Sequence, residues 1–360
     1  MRATTCGTTK VVCAERAPGT RKPIGCRVAA AAGCRDRKKV DAERCAAETH
    51  CTDVVDWGNG TCIDPRADGP HPAGVRVVTF TKQSVVNPAQ PRPLETIVWY
   101  PAAPGAGPVD GQYRAVLDAP PAGGGPFPLV VFSHGSCGYP LQSPFLTVGL
   151  ATHGFVVAAL PHPGNTIFEF PSCGVPETLV DSAVERPADV RFVLDQILAA
   201  NADPASPLFG LVDPARVGMM GHSFGGFTTH HVVRQDARFK VAVPLAAAVL
   251  NAPAFLVPSL TMLGQIDGVV NNGAIRNAYA ASTAPKYLGE IEHAGHYAFS
   301  EGCFPSPDCD PPTTLTQDEA HALVLRYVVP FLQVHLAGDA AWAPLLAAPA
   351  APGTVLEHTP

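Results

Sequence analysis

A serine hydroxyl becomes a nucleophile only where the chain lifts it clear of its neighbours and supplies a base to take its proton. Residues 219–226, Met219-Met220-Gly221-His222-Ser223-Phe224-Gly225-Gly226, have the spacing for the first requirement. Ser223 stands two residues from Gly221 and two from Gly225, giving G-x-S-x-G. A strand that turns sharply into a helix has no room for large side chains at those flanking positions, and it leaves the central hydroxyl exposed above a sheet. Arg216 to Met220 is the strand candidate, and the helix candidate begins at Phe227. An inert strand-turn-helix rich in small residues gives the same pattern, so the partners decide.

In strand-turn-helix sites of this kind the acid and then the histidine follow the serine along the chain. Asp267 lies just past an apolar run, in Leu263-Gly264-Gln265-Ile266-Asp267-Gly268. Capping a turn is the competing role for it. The later stretch Glu290-Ile291-Glu292-His293-Ala294-Gly295-His296-Tyr297 offers two imidazoles. His296, between a glycine and an aromatic, is the favoured base, and His293 the structural alternative. Neither histidine has a third ligand at recognisable spacing, so no metal is expected. An acyl-transfer oxyanion needs two backbone donors. The Phe224 N–H follows the nucleophile directly. Ser136, in the loop Ser133-His134-Gly135-Ser136-Cys137-Gly138, supplies the second.

All of these positions follow apolar runs, and the runs alternate with helical patterns. Val75 to Phe80 and Thr96 to Tyr100 read as the first strands. Leu129-Val130-Val131-Phe132 and Phe155 to Leu160 are wholly apolar, as central parallel strands buried on both faces must be. Phe145 to His153 reads as a helix ended by Gly154, and a second runs from Pro187 to Ala200, with Pro187 in its first turn. Val241 to Val243, Ser259 to Leu263 and Tyr287 to Ile291 are further strands, and Gln317 to Leu336 is a helix that Pro330 kinks. The expected class is α/β, a mostly parallel sheet covered by helices on both faces, with its chemistry at the carboxyl ends of the strands.

Composition narrows the function. The 360 residues are 46 % hydrophobic and carry a net charge of −6, without a basic stripe for nucleic acid. No run reaches the roughly 18 apolar residues of a membrane span. Seven of the 11 cysteines fall before residue 70, at Cys6, Cys13, Cys26, Cys34, Cys45, Cys51 and Cys62. That density reads as a disulfide framework in an oxidising compartment, secreted, periplasmic or at the cell surface, although no signal peptide is visible after Met1. Asn59-Gly60-Thr61 is a glycosylation sequon. Three regions are expected: a Cys-rich segment over 1–68, a catalytic domain over 69–340, and a poorly ordered Ala/Pro-rich tail over 341–360.

With those residues in place, the chain from Val75 to Leu336 resembles the α/β-hydrolase superfamily. Within it the predicted dienelactone hydrolase branch is most similar, beside platelet-activating-factor acetylhydrolases and polyester-degrading cutinases. The resemblance is carried by Val131-Phe132-Ser133-His134-Gly135, Leu160-Pro161-His162-Pro163-Gly164-Asn165-Thr166, Glu185-Arg186-Pro187-Ala188-Asp189 and Gly221-His222-Ser223-Phe224-Gly225-Gly226. It implies Ser223 as nucleophile, Asp267 as acid, His296 as base, Ser136 and Phe224 as oxyanion donors, and no cofactor. Dienelactone hydrolases themselves carry a cysteine nucleophile, and the first 68 residues lie outside the resemblance.

The function expected is a serine carboxylic-ester hydrolase acting on short-chain or polymeric esters. The excursion from Pro161 to Val184 is too short for a lid, so the cleft should be open. A peptidase or amidase on the same scaffold, or a binding protein carried by the Cys-rich segment, are the alternatives. Two disulfides are expected near the site, Cys137–Cys173 and Cys303–Cys309. Mass spectrometry of the non-reduced protein should find both linked pairs, and free thiols at these four positions would contradict the pairing.

Overall fold

The computed structural model describes residues 62–302 and 315–359, with the strand segments 3–6, 9–12, 27–28 and 55–56. The proposed N-terminal disulfide framework, the Asn59 sequon and the Cys303–Cys309 pair lie outside the described residues. Ala3–Cys6, Thr9–Val12 and Arg27–Val28 form a small antiparallel sheet, and Val55–Asp56 pairs with Cys62–Ile63.

The main sheet has ten strands. In chain order they are β1 (Ala73–Gln83), β2 (Pro91–Pro101), β3 (Val116–Leu117), β4 (Phe127–Ser133), β5 (Val156–Leu160), β6 (Val212–His222), β7 (Phe239–Leu245), β8 (Ser259–Gly264), β9 (Lys286–Ile291) and β10 (Thr354–Thr359). Across the sheet they run β10-β9-β8-β7-β6-β4-β5-β2-β1-β3. The six strands from β9 to β5 are parallel, and β2 and β10 join them antiparallel on either side. Every residue of β4, β5 and β8 is buried, which is why these segments carry no charged residue.

Alternate residues serve two cores. On one face α1 (Pro144–Thr152) and α5 (Gln317–Leu332) place Leu150, Val324 and Phe331 against Phe132, Val157 and Met220. On the other, α2 (Pro176–Ala202) and α3 (Phe224–Gln235) place Val190, Val193, Leu194 and Val232 against Val131, Val156 and Met219. The short helices α4 (Asn272–Ala281) and α6 (Ala343–Ala347) complete the cover. From Gln317 to Ala337 the helix is long and apolar enough to cross a membrane, but most of that length is buried in this core.

The structure departs from the sequence pattern in three places. Helix α2 begins at Pro176, eleven residues before Pro187, which lies inside it. Its buried face continues upward from Val190 through Asp189, Arg186, Glu185 and Ser182, polar residues at helical spacing that extend no apolar stripe. The helix at Gln317 runs past Pro330 to Leu332 and then widens into a π turn over Gln333–Ala337. The segment from 341 is no loose tail. Trp342 is fully buried, and β10 closes the sheet edge by pairing with β9.

The polar end of α2 is tied to the sheet by charge. Lys82 of β1 lies 2.9 Å from Glu185 and 3.1 Å from Asp189, and Arg92 of β2 reaches the same two carboxylates at 3.3 and 2.6 Å. Burial pushes the Glu185 carboxyl up. Hydrogen bonds from Ser84, the Val86 N–H and Lys82, with the charge of Arg92, outweigh this and leave it below its ordinary 4.5. A carboxyl lowered in the folded state contributes stability above its unfolded pKa, and that contribution is lost as pH falls through the folded value. Glu185→Gln is expected to cost about 3 kcal/mol at neutral pH. It should also flatten the loss of stability on acidification below 4.5. Denaturant titrations across pH check both, and an unchanged acid limb would contradict the assignment.

Candidate active site

Ser223 caps the end of β6 at the first turn of α3, with φ 56° and ψ −115°, a left-handed-side backbone that a side chain rarely adopts. The turn is held there by backbone bonds, among them Phe227 N–H to the Ser223 carbonyl at 3.2 Å. The Ser223 N–H donates to the Leu245 carbonyl at 2.9 Å, and the Ser223 carbonyl accepts from Gly226 at 2.9 Å and Ala248 at 2.9 Å. The flanking glycines are there for contact between backbones. A Cβ on Gly225 would stand 1.9 Å from the Ser133 carbonyl oxygen, and one on Gly221 2.2 Å from that of Gly225. The first turn of α3 therefore packs backbone to backbone on the end of β4, which leads into the loop carrying Ser136.

Asp267 and His296 follow β8 and β9, adjacent parallel strands that pair Gly264 with Ile291. Their loops are joined by the Ile266 N–H donating to the Ala294 carbonyl at 3.0 Å and the Gln265 N–H to Ile291 at 2.9 Å. The structure brings the two side chains together: His296 Nδ1–H donates to Asp267 Oδ2 at 2.8 Å, and both groups are buried. Asp267 Oδ1 accepts from the N–H groups of Val269 and Val270 at 2.8 and 3.0 Å, which fixes the carboxylate. With Nδ1 carrying the proton toward Asp267, Nε2 is the ring nitrogen left to accept one. His293 is exposed and left-handed at φ 58°, and its N–H donates to Gln265 Oε1.

His222, inside the serine motif, was not singled out by the sequence, yet it joins the two halves of the site. Its Nε2–H donates to the His296 carbonyl at 2.9 Å, and the two rings lie 4.6 Å apart. Its Nδ1 accepts from Gln142 Nε2 at 2.8 Å, while Gln142 Oε1 accepts the Gly135 N–H at 2.7 Å. Burial, with the neighbouring His296 adding to it, pushes the His222 pKa well below the ordinary imidazole value, so this ring stays neutral. One glutamine and one imidazole thus connect the Gly135 loop, the residue before Ser223, and the backbone of His296.

Phe224, one expected donor, and Gly135, the neighbour of the other expected donor Ser136, lie beside the serine. Gly135 packs against it, since a Cβ there would be 3.4 Å from Ser223 Cβ. The Ser136 side chain accepts from Asn165 Nδ2 at 3.0 Å. Cys137 and Cys173 form the disulfide expected of them, Cα–Cα 5.4 Å, tying this loop to the segment after β5. Gly138 also bridges to Thr166 of that segment. Phe168 and Phe170 lie exposed on it, with Tyr139 nearby on the loop.

Known proteins resemble this chain in sequence and in fold. The PET hydrolase-like (PETase) family matches residues 119–304, just over half of the chain. A cutinase of Thermobifida alba, est1, is 27% identical over 175 residues, 47% of this chain and 53% of its own length. A platelet-activating factor acetylhydrolase of Cavia porcellus is 24% identical over 249 residues, 53% of this chain and 56% of its own. The chain thus spans about half the length of the curated relatives it matches. Among solved structures, a ferulic acid esterase from Streptomyces cinnamoneus superposes with a TM-score of 0.67 at 27% identity, covering 79% of this chain and 96% of its own. The family match over more than half of the chain, with the likeness in fold, makes this chain a member of the PET hydrolase-like family within the α/β-hydrolase fold.

Proposed function

We propose that the protein is a secreted serine carboxylic-ester hydrolase, with Ser223 as nucleophile, His296 as base and Asp267 as the orienting acid. The observation that carries it is the 2.8 Å Asp267–His296 hydrogen bond at the strand rim where Ser223 turns. In the reaction, His296 Nε2 takes the proton of Ser223 Oγ as that oxygen bonds to the ester carbonyl carbon. The carbonyl oxygen becomes an oxyanion facing the N–H groups of Ser136 and Phe224. Collapse breaks the bond to the alcohol oxygen, which leaves with the proton from His296. Water then attacks the acyl-enzyme with His296 again as base, releasing the acid and returning the proton to Ser223.

The naming of the relatives as cutinases and esterases supports an ester substrate. The segment after β5 supports an open cleft. It is a run of short turns before α2, with Phe168 and Phe170 turned to solvent beside the Ser136 loop. Such a rim suits short acyl chains or an accessible polymer surface. The Cys137–Cys173 disulfide is consistent with an oxidising compartment.

Hydrolysis of p-nitrophenyl esters of graded chain length tests the reading. Short chains should be favoured, and Ser223→Ala should abolish turnover. Asp267→Asn should keep the fold and lower kcat by about 10⁴-fold, because the amide favours the wrong imidazole tautomer. A strong preference for long chains, or turnover surviving Ser223→Ala, would contradict it; an inert wild type would favour a binding role.

A further inference from the structure

Beneath the proposed oxyanion site lies a cation that forms no ion pair among the described residues. Arg186, on the polar end of α2, is fully buried. Its guanidinium has five N–H donors, and all five are used. Nε donates to Asn165 Oδ1 at 3.0 Å. Nη1 donates to Ser133 Oγ at 3.3 Å and the His134 carbonyl at 2.6 Å. Nη2 donates to the Gly135 carbonyl at 3.0 Å and again to Asn165 Oδ1. Every acceptor is neutral, and among the described residues no carboxylate forms an ion pair with it. Burial pulls the group down to about 9, against the attraction of the more distant Asp189. A lone buried charge costs several kcal/mol, and a well-packed apolar residue would be cheaper. A role in stability alone therefore accounts poorly for it.

The acceptors indicate another role. The Gly135 carbonyl and the Ser136 N–H belong to one peptide unit, which is trans, so the two point to opposite sides. Three donors converge on that carbonyl: Arg186 Nη2, His134 Nδ1 at 2.7 Å and the Gly138 N–H at 3.1 Å. Fixing the carbonyl inward turns the Ser136 N–H outward, and withdrawing electrons from the oxygen makes that N–H a stronger donor. The guanidinium carbon also lies 4.8 Å from the centre of the ring of Phe224, the residue that carries the second proposed donor. Asn165 completes the arrangement, its Oδ1 on Arg186 and its Nδ2 on Ser136 Oγ.

We infer that Arg186 is a positioning residue for the oxyanion site, orienting and polarising the Gly135–Ser136 peptide so that a buried positive charge acts on the tetrahedral intermediate without touching it. The inference rests on the hydrolase reading above. It makes Arg186 a contributor to kcat rather than to substrate binding, because negative charge on the carbonyl oxygen develops only in the transition state.

The test measures kcat per active site, with active sites counted by fluorophosphonate titration, in Arg186→Lys and Arg186→Met. Arg186→Met should lose about 100-fold in kcat, the size expected for one oxyanion donor. Arg186→Lys, which keeps the charge but not the fork, should lose about tenfold. KM should stay within about threefold in both, and affinity for a trifluoromethyl ketone, which forms the same oxyanion on Ser223, should fall in parallel with kcat. Variants that lose thermal stability while kcat per titrated site stays at the wild-type value would overturn the inference and leave Arg186 a structural staple. Should both variants fail to fold, Asn165→Asp carries the test. It sets a carboxylate against the guanidinium, offsetting its charge while losing the Nδ2 hydrogen bonds to Ser136 Oγ and the Cys173 carbonyl, so kcat should fall; an unchanged kcat overturns the inference. A wild type that neither titrates nor hydrolyses esters would fail the hydrolase reading as well, whereas an active wild type with unaffected variants fails this inference alone.

Discussion

The contact on which the site depends is between two backbones. The first turn of α3 rests on the carbonyl at the end of β4, so closely that Gly225 has no space for a methyl group. That contact sets the distance between the loop after β4 and the serine at the start of α3, and no side-chain rearrangement can adjust it. It also helps hold Ser223 in its unfavourable conformation, which costs on the order of 1–3 kcal/mol and persists only where the surroundings over-determine it. Here the neighbouring strand does so, with Leu245 accepting the Ser223 N–H and Ala248 donating to its carbonyl.

Under that contact lies a polar layer rather than an apolar core. Ser133 Oγ–H donates to His162 Nε2 at 2.9 Å, and His162 Nδ1–H donates to Asp189 at 3.1 Å. The order serine, histidine, aspartate is that of a catalytic array, but all three side chains are sealed from solvent, and Ser133 Oγ is already engaged by Arg186. Burial, reinforced by Arg186, Arg92 and Lys82, pushes the His162 pKa well below the ordinary value, so the ring is neutral and fixed in one tautomer. The arrangement links Asp189, His162, Ser133 and Arg186 in a chain of oriented hydrogen bonds that ends at the Gly135 carbonyl. The same three residue types hold structure at this level of the sheet and recur in the proposed triad at the rim.

How much of this was legible in the sequence depended on which residues carried each feature. The parallel strands read clearly because burial on both faces demands unbroken apolar runs, as in Leu129 to Phe132. The serine turn read clearly because its glycines are a steric necessity. Asp267 and His296 were reachable because each follows a strand, and strand ends are where this architecture places side chains at one rim. Helix α2 was cut short for the opposite reason. Ser182, Glu185, Arg186 and Asp189 occupy core-facing positions with polar groups, so the apolar periodicity ends at Val190 and leaves Pro187 as the apparent first turn. Read as spacing alone, those positions continue the stripe. The last strand was lost in an Ala/Pro-rich context, since its place beside β9 is set by pairing across the sheet and not by local pattern. His222 and Gln142 carry no local signal; their role exists only through partners 74 and 80 residues away.

The proposed ester hydrolysis requires Ser223, His296 and the two backbone donors to converge on one reacting carbon. A crystal structure of the protein after reaction with an alkyl phosphonate measures that convergence directly. The expected adduct has phosphorus bonded to Ser223 Oγ, a phosphonyl oxygen within hydrogen-bond distance of the Ser136 and Phe224 N–H groups, and His296 Nε2 beside the serine oxygen. A phosphonyl oxygen turned away from both donors, or an adduct on any other side chain, would contradict it.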